Sequence, residues 1–109
     1  MKKNDKWAFI INPIAGGGKA GRYAPTVREM IRRHGITAET AFTTGKGHAT
    51  TLAADFAKRG FSHVVAVGGD GTFSEAAHGL VGKKNVIFGA MPAGTGNDFI
   101  AITGFSETL

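Results

Sequence analysis

The sequence contains no cysteine, which excludes a disulfide framework and a thiolate metal site. It has no apolar run near the roughly 20 residues that a membrane-spanning helix needs. The first apolar run, "WAFII", is also too short for a secretory signal peptide. Acidic residues are scarce beside basic ones, 8 against 13, so the net charge of +5 favours anionic partners such as phosphate groups, nucleic acid or an acidic membrane surface.

Glycine is what the sequence has in excess, with 17 among 109 residues. The typical share is about 7%. The glycines show no repeat and cluster between apolar segments, so they mark special loops rather than low complexity. The length suggests one domain, spanning residues 1–109.

Strand-like and helix-like segments alternate along the chain. Apolar or alternating runs predict strands at 7–11, 36–44, 63–67 and 86–91. Between them, helical stripes of apolar residues run from Tyr23 to His34, from Ala49 to Ala57 and from Phe73 to Val81, and a short helix is predicted from Asn97 to Thr103. This alternation predicts a Rossmann-like α/β domain with a parallel sheet and helices on its faces.

Each predicted strand is followed by a stretch rich in glycine or threonine. These stretches are "NPIAGGGK", "TTGKG", "GGDGT" and "PAGTGND". The carboxyl ends of parallel strands share one edge of the sheet, where ligands of open α/β sheets bind. Four such loops at one edge predict a phosphate-binding cleft.

The stretch "GGDGT" carries the sharpest chemical signal. Gly68 and Gly69 can take positive φ and allow a ligand close to the backbone, while free N–H groups at a helix start suit phosphate. Asp70 would repel phosphate, so we expect it to touch a cation, a sugar hydroxyl or a nucleophilic hydroxyl. A purely structural alternative is that Thr72 and Glu75 form a capping box that begins the helix.

The other loops offer candidates with weaker signals. Gly16, Gly18 and Gly21 have dinucleotide-fingerprint spacing, and Lys19 could either reach a phosphate or remain solvated. In the second loop, Thr43 or Thr44 could bind a phosphate or a sugar, whereas His48 reads as a residue of the helix start. The fourth loop places glycines beside polar side chains that could bind a ligand or cap a helix: Gly94, Thr95, Gly96, Asn97 and Asp98. The histidines lack metal-ligand spacing, so metal ligands stay unknown, and the arginines near residue 30 indicate a solvated helix face rather than a nucleic-acid site.

The motifs "NPIAGGG", "TTGKGHA", "GGDGTFSEAAHG" and "PAGTGNDF", in this order, resemble the catalytic-domain signature of the diacylglycerol kinase and sphingosine kinase superfamily. The bacterial lipid kinases are the most similar members, and the likeness runs from Phe9 to about Gly104. It implies a three-layer domain of the phosphofructokinase and NAD kinase type, ATP and Mg²⁺ as cofactors, and a lipid hydroxyl as acceptor, with a role in phospholipid metabolism.

The resemblance also implies which residues bind ATP. It places Asp70 in the phosphate and metal region of the catalytic site. The nucleotide-binding set that it implies is Asn12, Pro13, Gly16, Gly17, Thr43, Gly68, Gly69, Asp70, Gly71, Thr72, Glu75, Gly94, Thr95 and Asn97.

Family members are about twice this length or more and carry a second, β-rich domain with the catalytic base and much of the lipid pocket. The chain is therefore expected to be the nucleotide-binding half of a cytoplasmic kinase that acts at the membrane surface, inactive alone, with an open sheet edge that could pair with another copy. Two alternatives stay open. One is an NAD kinase-like enzyme in which Asp70 serves a ribose hydroxyl. The other is a nucleotide-binding module without catalysis, suggested by Ser74 and Ala101, which depart from the family pattern.

Overall fold

The structure, a computed structural model, describes residues 5–93. Within this range strands and helices alternate as the sequence predicts. The strands are β1 (Trp7–Ile11), β2 (Ala38–Phe42), β3 (His63–Gly68) and β4 (Ile87–Pro92). The helices are α1 (Lys19–Arg22), α2 (Ala24–His34), α3 (His48–Lys58) and α4 (Asp70–Gly79). The second strand is shorter than predicted, α1 was not predicted, and the helix expected at Asn97 to Thr103 lies outside the described residues.

The four strands form one parallel sheet in the order β2-β1-β3-β4. Phe9 pairs with Thr40 on one side and with Val65 on the other. All carboxyl ends therefore lie at one edge, which confirms the predicted common rim for the first three loops. The fourth loop begins at the same edge, because the Ala93 N–H donates to the Gly68 carbonyl at 2.9 Å.

The sheet is covered on both faces, which gives the predicted three layers. Side chains from alternate positions of β1 and β3 point to opposite sides. Phe9, Ile11, Val65 and Val67 pack toward α1 and α2. On the other face, a second apolar cluster joins the sheet to α3 and α4 through Ala8, Ile10, Val64, Ala66, Ala49, Ala53, Phe56, Ala76 and Leu80. The two central strands are fully buried, as expected for continuous apolar runs.

The predicted helical stripes hold except at three positions. The stripe of α3 is buried or packed against the core as predicted. In the last stripe, Ala77 is exposed within α4, and Val81 is exposed because α4 ends before it. His34, assigned to the apolar stripe of α2, is also exposed at the end of that helix.

Helices α3 and α4 touch through their backbones. The Thr50 hydroxyl in the first turn of α3 donates to the Glu75 carbonyl of α4 at 2.7 Å. A Cβ atom on Gly79 would clash with the Thr50 carbonyl oxygen and would lie 3.1 Å from the Ala53 Cβ. Glycine at position 79 is therefore what allows this close approach.

Replacing Gly79 by alanine should destabilise the chain by about 1–3 kcal/mol, because the methyl group forces the two helices apart. Gly71→Ala, in the same helix, is the matched control: no atom lies within 4 Å of a Cβ placed there. The control should be neutral or gain up to about 1 kcal/mol from helix propensity. Urea denaturation measures both free energies of unfolding, and equal stability of Gly79→Ala and the unsubstituted chain would contradict the packing argument.

Candidate functional site

The candidate site lies where the strand order changes direction. After β1 the chain continues to β2, the outer strand on one side of the sheet. After β3 it continues to β4, the outer strand on the other side. The connections at the carboxyl ends of β1 and β3 therefore diverge and leave a crevice between them, which is the usual ligand position in open α/β sheets.

Asn12 joins the two sides of this crevice. Its backbone N–H donates to the Val67 carbonyl at 3.0 Å, which extends the ladder between β1 and β3 by one residue. Its side-chain amide donates to the Thr72 hydroxyl at 3.2 Å, and its Oδ1 accepts the Ile14 N–H at 3.3 Å. The end of β1 is thus fastened to the first turn of α4.

A cleft of about 310 Å³ opens beside this contact. Three of the predicted loops contribute to it, together with the first turns of α3 and α4. Its lining residues are Asn12, Pro13, Ile14, Thr43, Thr44, Gly45, Lys46, Ala49, Gly71, Thr72 and Glu75.

Helix α4 begins without a side-chain cap. Its first residue is Asp70, its N-cap is Gly69, and no side chain caps it. The capping box proposed for Thr72 and Glu75 is therefore wrong, because both residues lie inside the helix and the Thr72 hydroxyl accepts the Asn12 amide instead. The first N–H groups of a helix have no partner within it. At α4 they are left for solvent or a ligand beside the cleft.

The two glycines at the junction of β3 and α4 do not have the positive φ that glycine allows. Neither Gly68 nor Gly69 has positive φ. A Cβ on Gly68 would lie 2.6 Å from the Thr72 Oγ1, so Gly68 lets the end of β3 meet the first turn of α4. A Cβ on Gly69 or on Gly71 would meet no atom within 4 Å, so both leave open space near the helix start.

The first loop turns sharply through its glycines. Gly16, Gly17 and Gly18 all have positive φ, between 64° and 96°. Gly21 lies against the chain after β1, since its N–H donates to the Pro13 carbonyl at 3.1 Å and a Cβ there would be 2.8 Å from that oxygen. The spacing of Gly16, Gly18 and Gly21 is therefore explained by backbone turning and close packing.

The second loop contains a lysine for which the sequence motifs predicted no role. Thr43 is buried, and its N–H donates to the Ile11 carbonyl at 2.8 Å. Three residues later, Lys46 lines the cleft. His48 begins α3, as predicted, and its Nδ1 accepts the Thr44 N–H at 2.9 Å. A lysine between two glycines after a strand was the available signal.

The predicted nucleotide-binding residues fall into four groups. Six line the cleft: Asn12, Pro13, Thr43, Gly71, Thr72 and Glu75. Three adjoin it at the junction of β3 and α4: Gly68, Gly69 and Asp70. Gly16 and Gly17 belong to the first loop, where a Cβ on Gly16 would lie 3.4 Å from the Ala93 Cβ. Gly94, Thr95 and Asn97 lie outside the described residues.

The charged groups near the cleft are not neutralised by neighbours within residues 5–93. Lys46 and Asp70 are exposed, and neither forms an ion pair with another described residue, nor does Glu75. The part of the chain that the structure describes contains no cluster of three metal-ligating side chains. Among the described helices, none is long and apolar enough to cross a membrane.

Comparison with known proteins gives a consistent result. The family model of the diacylglycerol kinase catalytic domain matches residues 6–109. A diacylglycerol kinase of Bacillus subtilis is 35% identical over 97 residues, covering 88% of this chain and 32% of that protein. One from Staphylococcus saprophyticus is 35% identical over 92 residues, covering 84% and 30%.

Solved structures agree with the sequence relatives. A crystal structure of a diacylglycerol kinase from Bacillus anthracis superposes with a TM-score of 0.70 at 28% identity, covering 91% of this chain and 34% of that one. The chain thus spans about a third of the length of the proteins that it matches.

Proposed function

Since this chain belongs to the diacylglycerol kinase catalytic domain family, we propose that its cleft binds ATP and that residues 1–109 are the nucleotide-binding part of a lipid kinase. A kinase needs a site for the phosphates of its donor.

The observation that carries the proposal is the meeting of two helix starts at one crevice. Ala49 in the first turn of α3 and Gly71 and Thr72 in the first turn of α4 all line the cleft. Neither helix has a side-chain cap. The His48 N–H donates to the Gly45 carbonyl, and the remaining N–H groups of the two helix starts, with their partial positive charge, can bind an anion. A volume of about 310 Å³ is within the range of small-molecule sites.

The residues around the cleft also suit the polar parts of a nucleotide. Thr43 and Thr72 supply hydroxyl groups, and the Asn12 amide is already fixed by its contact with Thr72. The carboxylates of Asp70 and Glu75 have no cation partner among residues 5–93. Hard oxygen donors of this kind fit Mg²⁺, which proteins often hold by one or two carboxylates together with the phosphates. Bound there, Mg²⁺ would neutralise charge on the phosphate oxygens.

The proposed reaction is transfer of the γ-phosphate to a lipid hydroxyl, such as that of diacylglycerol. The hydroxyl oxygen forms a bond to the γ-phosphorus, the bond to the β–γ bridging oxygen breaks, and ADP leaves. The hydroxyl proton passes to a base. Within residues 5–93, Asn12, Thr72 and the start of α4 would hold and orient the donor. Enzymes catalyse phosphoryl transfer mainly by such positioning and by electrostatic stabilisation.

The rest of the catalytic machinery is assigned to protein outside this chain. The relatives are about three times longer than this chain. We therefore assign the base and the lipid pocket to the remaining length of such a kinase, which would work in the cytoplasm at the membrane surface. The 109-residue chain alone should bind nucleotide weakly and phosphorylate no lipid.

The proposal is tested by a nitrogen-15 NMR titration of the 109-residue chain with ATP and Mg²⁺. The amide signals of Asn12, Thr43, Gly71 and Thr72 should shift together and saturate at millimolar ATP. Signals of Gly60 and Lys84, which follow α3 and α4 near the opposite edge of the sheet, should stay in place. Shifts confined to that opposite edge, or none at all, would overturn the proposal.

A further inference from the structure

The turn between β2 and α3 places one cation at the cleft. Lys46 lies in this turn and is the only basic residue among those that line the cleft in the described part of the chain. It is exposed and forms no ion pair with another described residue. By contrast, Arg32 and Arg59 are both paired with carboxylates.

The turn is held at both of its ends. At its start, Thr43 continues the ladder through its N–H bond to the Ile11 carbonyl. At its end, the Nδ1 of His48 accepts the Thr44 N–H at 2.9 Å and lies 3.2 Å from the Thr44 hydroxyl oxygen. The His48 N–H donates back to the Gly45 carbonyl at 3.2 Å, and Gly47 bends the chain with φ at +84°.

These contacts fix the backbone on both sides of Lys46. Positions 44 and 48 are joined by the imidazole, so the three residues between them have little freedom to swing away from the cleft. The His48 Nδ1 must carry no proton to accept the Thr44 N–H. The lysine stem itself remains free to rotate, which lets a single ammonium group follow a phosphate.

The electrostatic setting of Lys46 favours an anion. The starts of α3 and α4 line the same cleft and contribute partial positive charge. The positive ammonium group and the partial positive charges of the two helix starts repel each other. An anion bound between them would remove this repulsion. Glu75 also lines the cleft, and it forms no ion pair with Lys46.

We infer that Lys46 binds the phosphate chain of the nucleotide and that His48 is the positioning residue that holds the Lys46 turn against the cleft. This inference rests on the proposed function, and it adds to it a cation and the device that orients the cation. It also predicts selectivity: affinity should rise with the number of phosphates on the ligand.

The first test compares Lys46→Ala with Lys84→Ala. Lys84 is exposed in the connection before β4, at the amino-terminal ends of the strands and opposite the cleft. Its removal changes the net charge by the same amount as removal of Lys46. Affinities of the 109-residue chain for adenosine, AMP, ADP and ATP are measured by NMR titration at two salt concentrations. Lys46→Ala should weaken ATP binding about tenfold, as expected for loss of a hydrogen bond to a charged group. It should leave the affinity for adenosine unchanged. Lys84→Ala should behave as the unsubstituted chain.

The second test isolates His48. His48→Ala should weaken ATP binding several-fold. His48→Asn should restore part of the lost affinity, because the asparagine Oδ1 can accept the Thr44 N–H. In the Lys46→Ala background, His48→Ala should have almost no further effect, since its role acts through the lysine. Fully additive losses would show that His48 acts independently of Lys46 and would overturn its positioning role.

The outcomes separate the two claims. If the unsubstituted chain binds ATP and Lys46→Ala matches Lys84→Ala, the assignment of Lys46 is wrong and the nucleotide site stands. An equal loss of affinity for adenosine and for ATP would likewise overturn it. The lysine would then stabilise the fold or contact the adenosine part of the ligand. If the unsubstituted chain binds none of the four ligands, the proposed function fails, and the assignment of Lys46 fails with it.

Discussion

Gly71→Val is expected to abolish detectable ATP binding in a chain that still folds. Gly71 lines the cleft in the first turn of α4, where N–H groups are free for phosphate. A valine side chain there would occupy space beside these groups and keep a phosphate from reaching them. Losing two charge-assisted hydrogen bonds would cost about 3 kcal/mol or more, which is at least a hundredfold in affinity.

The fold should tolerate this change because nothing crowds position 71. No atom lies within 4 Å of a Cβ built there, and the backbone does not have positive φ. Valine is also a better helix residue than glycine, so the free energy of unfolding should stay within about 1 kcal/mol. Urea denaturation and ATP titration on the same sample check both statements. Unchanged ATP affinity in a folded Gly71→Val chain would show that the space beside Gly71 is not a phosphate site.

Asp70→Asn should lower lipid phosphorylation by about a hundredfold or more in the longer kinase to which we assign this chain. The substitution preserves shape and removes one negative charge at the start of α4. Transfer of a phosphoryl group depends strongly on where charge is placed around the phosphates and the metal. The rate constant and the KM for ATP are measured with diacylglycerol in micelles, and the loss should appear mainly in the rate constant.

Stability should change little in the same variant. Asp70 is exposed and has no ion pair among residues 5–93, so it contributes at most about 0.3–1 kcal/mol through the helix dipole. Asp55→Asn, which removes a carboxylate at 3.4 Å from Arg59 near the end of α3, is the matched control and should keep full activity. The 109-residue chain in the same assay should label no lipid. If Asp70→Asn unfolds easily but retains turnover, Asp70 has a structural role.

The sheet and its functional edge were predictable from the sequence. The run "WAFII" is apolar throughout and "HVVAV" is apolar after its histidine, as is typical of buried parallel strands, and they are the two central strands. Because every predicted connection was a helix, all strands had to run in one direction, and the loops after them had to meet. The alternation of strands and helices is sufficient for this conclusion.

Contacts between loops could not be predicted in the same way. The Asn12–Thr72 hydrogen bond joins residues 60 positions apart and exists because β1 and β3 are neighbours. This contact uses the Thr72 hydroxyl that the capping-box pattern assigned to the helix start. Likewise, the crowding of Gly68 by Thr72 depends on the angle between β3 and α4, so the glycine pattern suggested positive φ where close packing was the cause.

Lys46 illustrates a different difficulty. A lysine between two glycines has the same appearance in the sequence whether it is solvated or placed at a cleft. Its position follows from the imidazole of His48 closing the turn, and that contact requires the start of α3 to be known within one residue.

The strand order has a consequence for synthesis on the ribosome. β1 emerges first, yet it lies inside the sheet, between β2 and β3. Translation proceeds at about 5–20 residues per second, so one side of this wholly apolar strand stays unpaired for about a second or more after β2 has appeared. An unpaired hydrophobic strand is a template for aggregation. The nascent chain should therefore depend most on chaperones between the emergence of β2 and that of β3, and pauses in translation there should reduce the yield of folded protein.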